Sequence, residues 1–483
     1  MTHVAAPGDS RQRRAALALP AALALLAALV LPCGCVRYQA APIEPGSSAG
    51  NFKERRLGDP QLLEAVRQHL PQAASSAWPP PTWDRAQLLA VALALNPDLA
   101  VARAQLRTVG AHEITASLWP NPDLLLESEY AIHDTHPWLY GVELDWLLPS
   151  SERRRLTIAS ARLDTERARF GLLDEAWAVR RSLVQALNET ECAQRRNQLL
   201  ERLGHAQDAL LAAERRRIEA GEDPPAELVT AERARIEIEQ RQLEERERAA
   251  AARGDLARAL GMPPEALEGI EISWAEWGAP PPLAQGELGA RREQALLSRA
   301  DLLALIKDYA RSETQLHLAV ARQYPELVLE PGYYWDHGIA KFPFNVGFTL
   351  PLDRNRGEIA EARAARDLAA ERMLALQAHI YGDIAAAVRA ESIAQDNVAA
   401  ARRQLEAAQH QVGQVELGVR LGALDALERS GAELISLRAE LELLDLESEL
   451  QAARDALEDV LRTPLSGPEL ALAASLSATV SGS

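Results

Sequence analysis

The chain has 483 residues and a net charge of −17, and only 5% of its residues are aromatic, whereas Ala, Leu, Arg and Glu dominate. This composition favours long helices packed as coiled coils over a thick globular core. The acidic balance argues against nucleic acid as a partner, because no basic stripe offsets it.

The N-terminus has the pattern of an export signal. A basic cluster at residues 11–14 precedes an uncharged run at residues 15–31. The Gly34-Cys35 pair that follows resembles a bacterial lipoprotein processing box. That resemblance implies that Cys35 is acylated and begins the mature chain, and that Val36 after it favours sorting to the outer membrane. The alternative is an ordinary signal peptide without a lipid.

Two strands are predicted in the first half of the chain. One lies near residues 123–131 and the other is YGVELDWLL at residues 140–148. The second strand alternates with period 2, so that one face is polar and the other is apolar. Its apolar face carries Tyr140, Val142, Leu144 and Trp146.

A very long helix follows, from about residue 152 to residue 220. Apolar residues recur there every seven positions, which indicates coiled-coil packing: Leu156, Leu163, Phe170, Trp177 and Val184. At 1.5 Å per residue the helix is on the order of 100 Å long. Gly221 ends it, and Pro224 and Pro225 begin the next helix.

The second half repeats this plan after a Pro/Gly-rich connection at residues 263–289. A strand is predicted near residues 326–335, and a second one is FPFNVGFTL at residues 342–350. The apolar face of the latter carries Phe342, Phe344, Val346 and Phe348. A second long helix, at about residues 357–421, ends at Gly422.

The two halves align in order along the chain, which indicates an internal duplication. NPDLLLESEY at residues 121–130 matches YPELVLEPGY at residues 324–333, and Gly221 matches Gly422. Each half therefore reads helix, strand, strand, very long helix, tight turn, helix.

The strands have the length and the one-sided apolar pattern of outer-membrane barrel strands. Four strands cannot close a barrel, because the smallest single-chain barrels use about eight. Several copies must therefore pool their strands: two copies would give eight and three would give twelve. The alternative is a small sheet packed on helices in a soluble domain.

The duplicated halves, the NPDL motif before the first strand, and the Gly turns at the helix tips resemble the TolC-like outer-membrane factors over roughly residues 85–463. The resemblance implies a homotrimer with a 12-stranded β-barrel in the outer membrane. It also implies a periplasmic α-helical coiled-coil tunnel that docks on a periplasmic adaptor and an inner-membrane pump. The two apolar strand faces would then contact outer-membrane lipid.

The predicted organisation has six segments. These are a signal peptide (1–35), an N-terminal irregular segment (36–84), a first outer-membrane efflux repeat (85–262), a connection (263–290), a second repeat (291–463) and a C-terminal tail (464–483). The predicted location is the bacterial outer membrane, lipid-anchored, with a periplasmic extension.

The favoured function is a passive exit duct of a tripartite efflux system for metal ions or small toxic compounds. No phosphate-binding loop or enzyme motif is found in the sequence, so neither an enzyme nor a cofactor is predicted. The ALNPDL and WPNPDL motifs resemble the CzcC-like heavy-metal branch. The alternatives are the outer-membrane component of type I protein secretion and a periplasmic coiled-coil adaptor or structural lipoprotein.

Two further sites are considered. His133 and His136 in HDTH, with His337 in WDHG, offer a metal-handling role, but solvated loop residues are the favoured interpretation, and no metal site is predicted. The second site is a periplasmic gate at the helix tips, where a long duct must close to avoid leaking. Its candidate acids, each present three times in a trimer, are Asp425, Glu428, Asp223 and Glu227.

Overall fold

The computed structural model of the chain describes residues 36–70, 78–274, 285–467 and 469–470. Its contacts divide the chain into two units, Met1–Glu54 and Arg55–Ser483. The predicted signal peptide and the predicted lipidation site at Cys35 lie outside the described residues. In the first unit, the described residues form one helix, α1 (Pro45–Lys53), which begins with proline, as helices often do.

The second unit begins with a short helix, α2 (Pro60–His69), in a stretch that was expected to be irregular. Leu62 and Val66 are one helical turn apart and only 5% and 2% exposed, so they share the buried face of α2. The expectation of an irregular segment at residues 36–84 is therefore wrong for α1 and α2. Helices of nine and ten residues show too little of the 3.6-residue period to be recognised in the sequence.

The first repeat has the predicted order of elements. Two short helices, α3 (Arg85–Leu95) and α4 (Pro97–Ser117), lead into strands β1 (Asp123–Tyr130) and β2 (Trp138–Leu148). The long helix α5 (Ser151–Glu219) and the returning helix α6 (Ala226–Leu260) then form a hairpin. A short 3-10 helix, Pro264–Leu267, lies in the connection.

The second repeat follows the same plan with one additional break. Helices α7 (Gln285–Ser298) and α8 (Ala300–Ala321) precede strands β3 (Leu327–Asp336), β4 (Ile339–Lys341) and β5 (Phe344–Phe348). The long helix α9 (Arg356–Arg420) and helix α10 (Ala426–Leu461) form the second hairpin. The two hairpins pack side by side through α5 and α10.

Equivalent contacts at the base of each hairpin support the duplication. In the first repeat, Asn96 between α3 and α4 donates from Nδ2 to the carbonyl of Ala259 in the last turn of α6, at 3.0 Å. In the second repeat, Arg299 between α7 and α8 donates from Nη1 to the carbonyl of Val460 in the last turn of α10, at 2.6 Å. In each repeat, therefore, the residue at the helix break holds the end of the returning helix.

The tips of both hairpins are glycine turns, as predicted. Gly221 and Gly422 have φ angles of +75° and +71°, in the left-handed region that residues with a Cβ rarely adopt. A substitution at either glycine would strain the turn, because the conformation itself is unfavourable for side chains. The tight reversal in both repeats thus depends on these two residues.

The core lies mainly at the bases of the hairpins. In the first repeat α3 is buried between α5 and α6, and in the second α9 packs with α10 and α7. The fully buried residues there include Leu88, Leu183, Leu260, Ile384 and Leu457. Of the predicted heptad positions, Leu156 and Val184 are buried. Cys192 in α5 is also buried, as expected of a free cysteine that packs as an apolar residue.

All five strands form one antiparallel sheet. Strand β2 pairs with β1 on one side and with β3 on the other, and β3 pairs in turn with β4 and β5. Among the described residues no single helix is long and apolar enough to cross a membrane. The bent pair of α3 and α4, which meet at 49°, meets that criterion together by length and composition.

Candidate functional site: the sheet and the helix tips

The register places the predicted apolar residues on one face of the sheet, since directly opposed residues of paired strands share a face. Leu144 and Val142 of β2 oppose Leu124 and Leu126 of β1. Across the other side of β2, Tyr140 opposes Trp335. Further along β3, Leu329 opposes both Trp146 of β2 and Val346 of β5. This row is called the apolar face, and it contains seven of the eight predicted lipid-contacting residues within strands: Tyr140, Val142, Leu144, Trp146, Phe344, Val346 and Phe348.

Much of the apolar face is open to solvent in the single chain. Leu126, Phe344 and Phe348 are 76%, 66% and 55% exposed, and Val346 is 50% exposed. Soluble monomers rarely expose a large contiguous apolar surface. Such a surface indicates contact with a membrane or with another chain. We therefore expect the apolar face to be shielded from water by a membrane or by another chain.

Phe342 differs from the prediction because it lies in a break between β4 and β5. The expected strand over residues 342–350 is split, and only Phe344–Phe348 pairs with β3. Pro343 has no N–H to donate, so the regular ladder stops there, although its carbonyl accepts from the Gly332 N–H at 2.9 Å. The Phe342 ring still lies 5.1 Å from that of Tyr333, which belongs to the apolar face.

The opposite face of the sheet carries all the acidic residues of the described strands. Glu127, Glu143, Asp145 and Glu330 lie on it by the same register, with Asn345 opposite Glu330. This face also carries apolar residues: Leu125, Leu139, Leu147, Val328 and Ile339. The sheet thus separates an aromatic and aliphatic face from a carboxylate-rich one.

A tyrosine crosses β2 on the acidic face. The Tyr334 hydroxyl donates to a carboxylate oxygen of Glu143. Its ring lies over Gly141, where a Cβ atom would come within 2.1 Å of the ring. Glycine at position 141 is therefore required for this contact, and any larger residue would displace the ring.

Both edges of the sheet are open within the described part of the chain. Strand β1 pairs there only with β2, and β5 pairs only with β3. An unpaired strand edge exposes backbone N–H and C=O groups, which are costly to leave unsatisfied in lipid. The sheet of one copy is consequently incomplete as a membrane-spanning structure.

The loops at the far end of the sheet bring His136 of the first repeat next to the loop of the second repeat that carries His337. The His136 ring contacts the position where Gly338 would carry a Cβ, at 3.2 Å, and His337 bonds Asp336 at 2.5 Å. Within the part of the chain that the structure describes, no group of three or more His, Cys, Asp or Glu side chains is placed to hold a metal ion.

At the helix tips, one arginine joins the two hairpins. Arg217 in the last turn of α5 contacts Asp223 beyond its own turn, with Nε 2.6 Å from Oδ2. It also contacts Asp425 in the turn of the second hairpin, with Nη1 2.9 Å from Oδ2. We call these three residues the tip clamp.

Asp425 and Glu428 also form a helix cap. Asp425 accepts from the backbone N–H groups of Leu427 and Glu428, at 2.6 and 3.2 Å, and the Glu428 side chain accepts from the Asp425 N–H at 2.9 Å. This is a capping box at the start of α10. The contact with the Glu428 side chain, the two N–H donors and Arg217 lower the pKa of Asp425 to about 2. Asp425 is therefore ionised at neutral pH, and its charge is compensated locally.

Asp223 and Glu227 have different surroundings. Asp223 is bound by Arg217, whereas Glu227 lies in the first turn of α6, where the helix dipole favours a negative charge. Burial, together with the charges of Glu227 and Asp223, raises the pKa of Glu214 on α5. Sequence reasoning selected the acids and missed Arg217. The only local signal for it was a basic residue in the last turn before a glycine.

Comparison with known proteins agrees with this architecture. Residues 292–461 match the family model of the outer membrane efflux protein. The matched residues belong to the second repeat of the chain. A search of curated proteins gives no significant match.

Solved structures of outer-membrane channels share the fold at low identity. The outer membrane protein VceC from Vibrio cholerae has a TM-score of 0.63 at 18% identity, covering 78% of this chain and 95% of VceC. The Campylobacter jejuni CmeC outer membrane channel has a TM-score of 0.63 at 13% identity, covering 89% and 94%. The open state of the Neisseria gonorrhoeae MtrE outer membrane channel has a TM-score of 0.63 at 17% identity, covering 78% and 88%.

Proposed function

We propose that three copies of this chain form a passive exit duct of a tripartite efflux system. Because β4 and β5 pair with β3 in one continuous register, they count as one interrupted strand, and each copy supplies four strands. The sheets of three copies pool into a 12-stranded barrel in the outer membrane, with the apolar face toward lipid and the acidic face toward the lumen. The helical hairpins continue it as a periplasmic tunnel that docks on a periplasmic adaptor and an inner-membrane pump. Metal ions or small toxic compounds are the proposed cargo, and Cys35 is the proposed lipid anchor.

One observation carries this proposal: the sheet is one-sided and has two open edges. The apolar face has residues that are 50–76% exposed in the single chain, and contact with lipid would shield them from water. Free edges at β1 and β5 need partners, and the next copy provides them. The match of residues 292–461 to the outer membrane efflux protein family model favours the same arrangement.

We further propose that the tip clamp holds the periplasmic end of the duct closed. Arg217 connects the first hairpin to the turn of the second, so outward movement of either tip must break a charged contact. The acids Asp425 and Glu428 act there as a cap and a clamp partner rather than as a free ring. Asp223 serves as the second partner, and Glu227 has no direct contact with Arg217.

The duct is tested by fractionation and by planar bilayer recording. We expect the protein in outer-membrane fractions as a heat-modifiable trimer that conducts ions after reconstitution. A soluble chain, or one anchored only in the inner membrane, would refute the proposal.

The gate is tested with two neighbouring arginines. Arg217→Ala removes both contacts of the tip clamp, and we expect a higher single-channel conductance because the tips are released. Arg216→Ala is the matched control, since Arg216 donates to the carbonyl of Ala212 on its own helix. Equal conductance of the two variants, with intact trimers, would place the constriction elsewhere.

A further inference from the structure

A buried cluster of charged side chains lies at the base of the hairpins: four of them are in close contact, and Asp455 of α10 lies beside them, with Oδ1 3.8 Å from Arg85 Nη1. Arg85 at the start of α3 and Arg180 of α5 face Glu458 of α10 and Glu469 beyond it. Glu469 and Glu458 are 1% and 2% exposed at their side chains, Arg180 is 6% exposed and Arg85 is 16% exposed. Charges this deeply buried are destabilising unless each is paired.

Glu469 is the centre of the cluster. Its Oε1 lies 2.6 Å from Arg85 Nε, and its Oε2 lies 2.6 Å from Arg180 Nη2 and 2.9 Å from Arg180 Nε. Because one carboxylate contacts both guanidinium groups, removing it leaves each arginine with an unsatisfied donor. These contacts lower the pKa of Glu469 to about 2 against the opposing effect of burial, so it is ionised at neutral pH.

Glu458 cannot replace Glu469. Its Oε2 already accepts from both arginines, at 3.1 Å from Arg85 Nη2 and 2.5 Å from Arg180 Nη2. Its Oε1 accepts the backbone N–H of Leu465 at 2.8 Å. That last bond folds the chain back over the end of α10, where Leu465 is buried, and directs the following residues toward the arginines.

The order of these residues along the chain is informative. Both arginines belong to the first repeat, whereas Glu458 lies near the end of the second repeat and Glu469 in the C-terminal tail, 278 to 384 residues away. During synthesis, which starts at the N-terminus, Arg85 and Arg180 are made long before Glu469. Their contacts with Glu469 can therefore form only after residue 469 has been added. Until then, the base of the first repeat holds two cations without their full set of carboxylates.

We propose that Glu469 acts as a latch: the bases of α3, α5 and α10 pack stably only when the chain extends to this residue, because only then are Arg85 and Arg180 fully paired. A chain that stops earlier keeps a destabilised base and is open to proteolysis. The latch couples the presence of Glu469 to the stability of the fold. It does not depend on the proposed transport function.

Two shortened chains test the latch. One ends at Gly467 and lacks Glu469, and the other ends at Leu470 and retains it. Both are expressed with the export signal, and trypsin sensitivity of the arginine-rich α5 is followed in a pulse-chase experiment. We expect the chain that ends at Gly467 to be cleaved roughly a hundredfold faster, because breaking a buried pair raises the population of open forms by about that factor or more. The chain that ends at Leu470 should resemble the full chain.

A point substitution separates the charge from the length. Glu469→Gln in the full chain should also accelerate cleavage, whereas Glu265→Gln, at an exposed position of the 3-10 helix, should not. Equal protection of the two shortened chains would overturn the proposal. So would a Glu469→Gln chain as resistant as the Glu265→Gln control. Neither readout requires conduction or efflux, so failure of the exit duct would not affect the result.

Discussion

Replacing Val346 by arginine is the sharpest test of how the sheet is oriented. Val346 is the central residue of β5, lies on the apolar face opposite Leu329, and is 50% exposed in the single chain. The proposed barrel turns this side chain toward the middle of the hydrocarbon layer. Asn345, its neighbour in the same strand, lies on the acidic face opposite Glu330 and provides a matched control.

The expected magnitude follows from the depth of the site. Arginine on the lipid face near the bilayer midplane costs about 2–4 kcal/mol, and arginine on the lumen face costs much less. Three copies would bring the penalty to about 6–12 kcal/mol for the assembly. Since about 1.4 kcal/mol is a factor of ten, the trimer should be disfavoured by roughly four to nine powers of ten.

Trimer yield in outer-membrane fractions, measured as the heat-modifiable band, reports this difference. We expect Val346→Arg to abolish the trimer and Asn345→Arg to retain it, aided by the carboxylate of Glu330 opposite. Equal yields would mean that the faces are misassigned, and a loss confined to Asn345→Arg would reverse them.

Three further predictions address sites outside the sheet. Cys35→Ser should abolish labelling by palmitate, and continued labelling would reject the assignment and make Cys33 the next candidate. Asp425→Ala combined with Glu428→Ala removes one partner of Arg217 and the cap of α10, so we expect a higher single-channel conductance in planar bilayers; an unchanged current–voltage curve with intact trimers would exclude these acids from the gate. Burial raises the pKa of Asp455 to about 6. The protonated carboxyl therefore contributes stability that is fully present below about pH 4 and is lost as the pH rises through 6. Asp455→Asn should therefore stabilise the protein at pH 7.5 by up to about 3 kcal/mol, with little effect at pH 4, in urea unfolding; a pH-independent difference would contradict this.

The long helices and their turns were predictable because their signals are local. The helices expected at residues 152–220 and 357–421 are Ser151–Glu219 and Arg356–Arg420 in the structure. Uninterrupted heptads and a following glycine define such helices without reference to the rest of the chain. The two faces of the strands were likewise visible, because a period of two needs only a few residues to be recognised.

Features that depend on distant residues were not predictable. The break at Pro343 was missed because a period-2 pattern passes over a proline whose effect depends on the neighbouring strand. Arg217 was missed because its partner Asp425 lies 208 residues away. The cluster of Arg85 and Glu469 was missed for the same reason, since ordinary charged residues show no pattern until the fold brings them together.

Salt bridges along the seam between the repeats join residues that are far apart in the sequence. Basic residues of α5 face acidic residues of α10 in the pairs Arg180–Glu458, Arg181–Asp459, Arg196–Asp445 and Arg202–Glu440, and Arg217 faces Asp425 in the turn before α10. The side chains of the first pair are 6% and 2% exposed, whereas those of the last are 31% and 46% exposed. Breaking a buried pair is strongly destabilising, but an exposed pair contributes little and is screened by salt. The two hairpins are thus held firmly at the base and loosely at the tip. A tip can therefore move apart from its neighbour while the base stays closed, which is the mechanical requirement for a duct that opens at one end without unfolding.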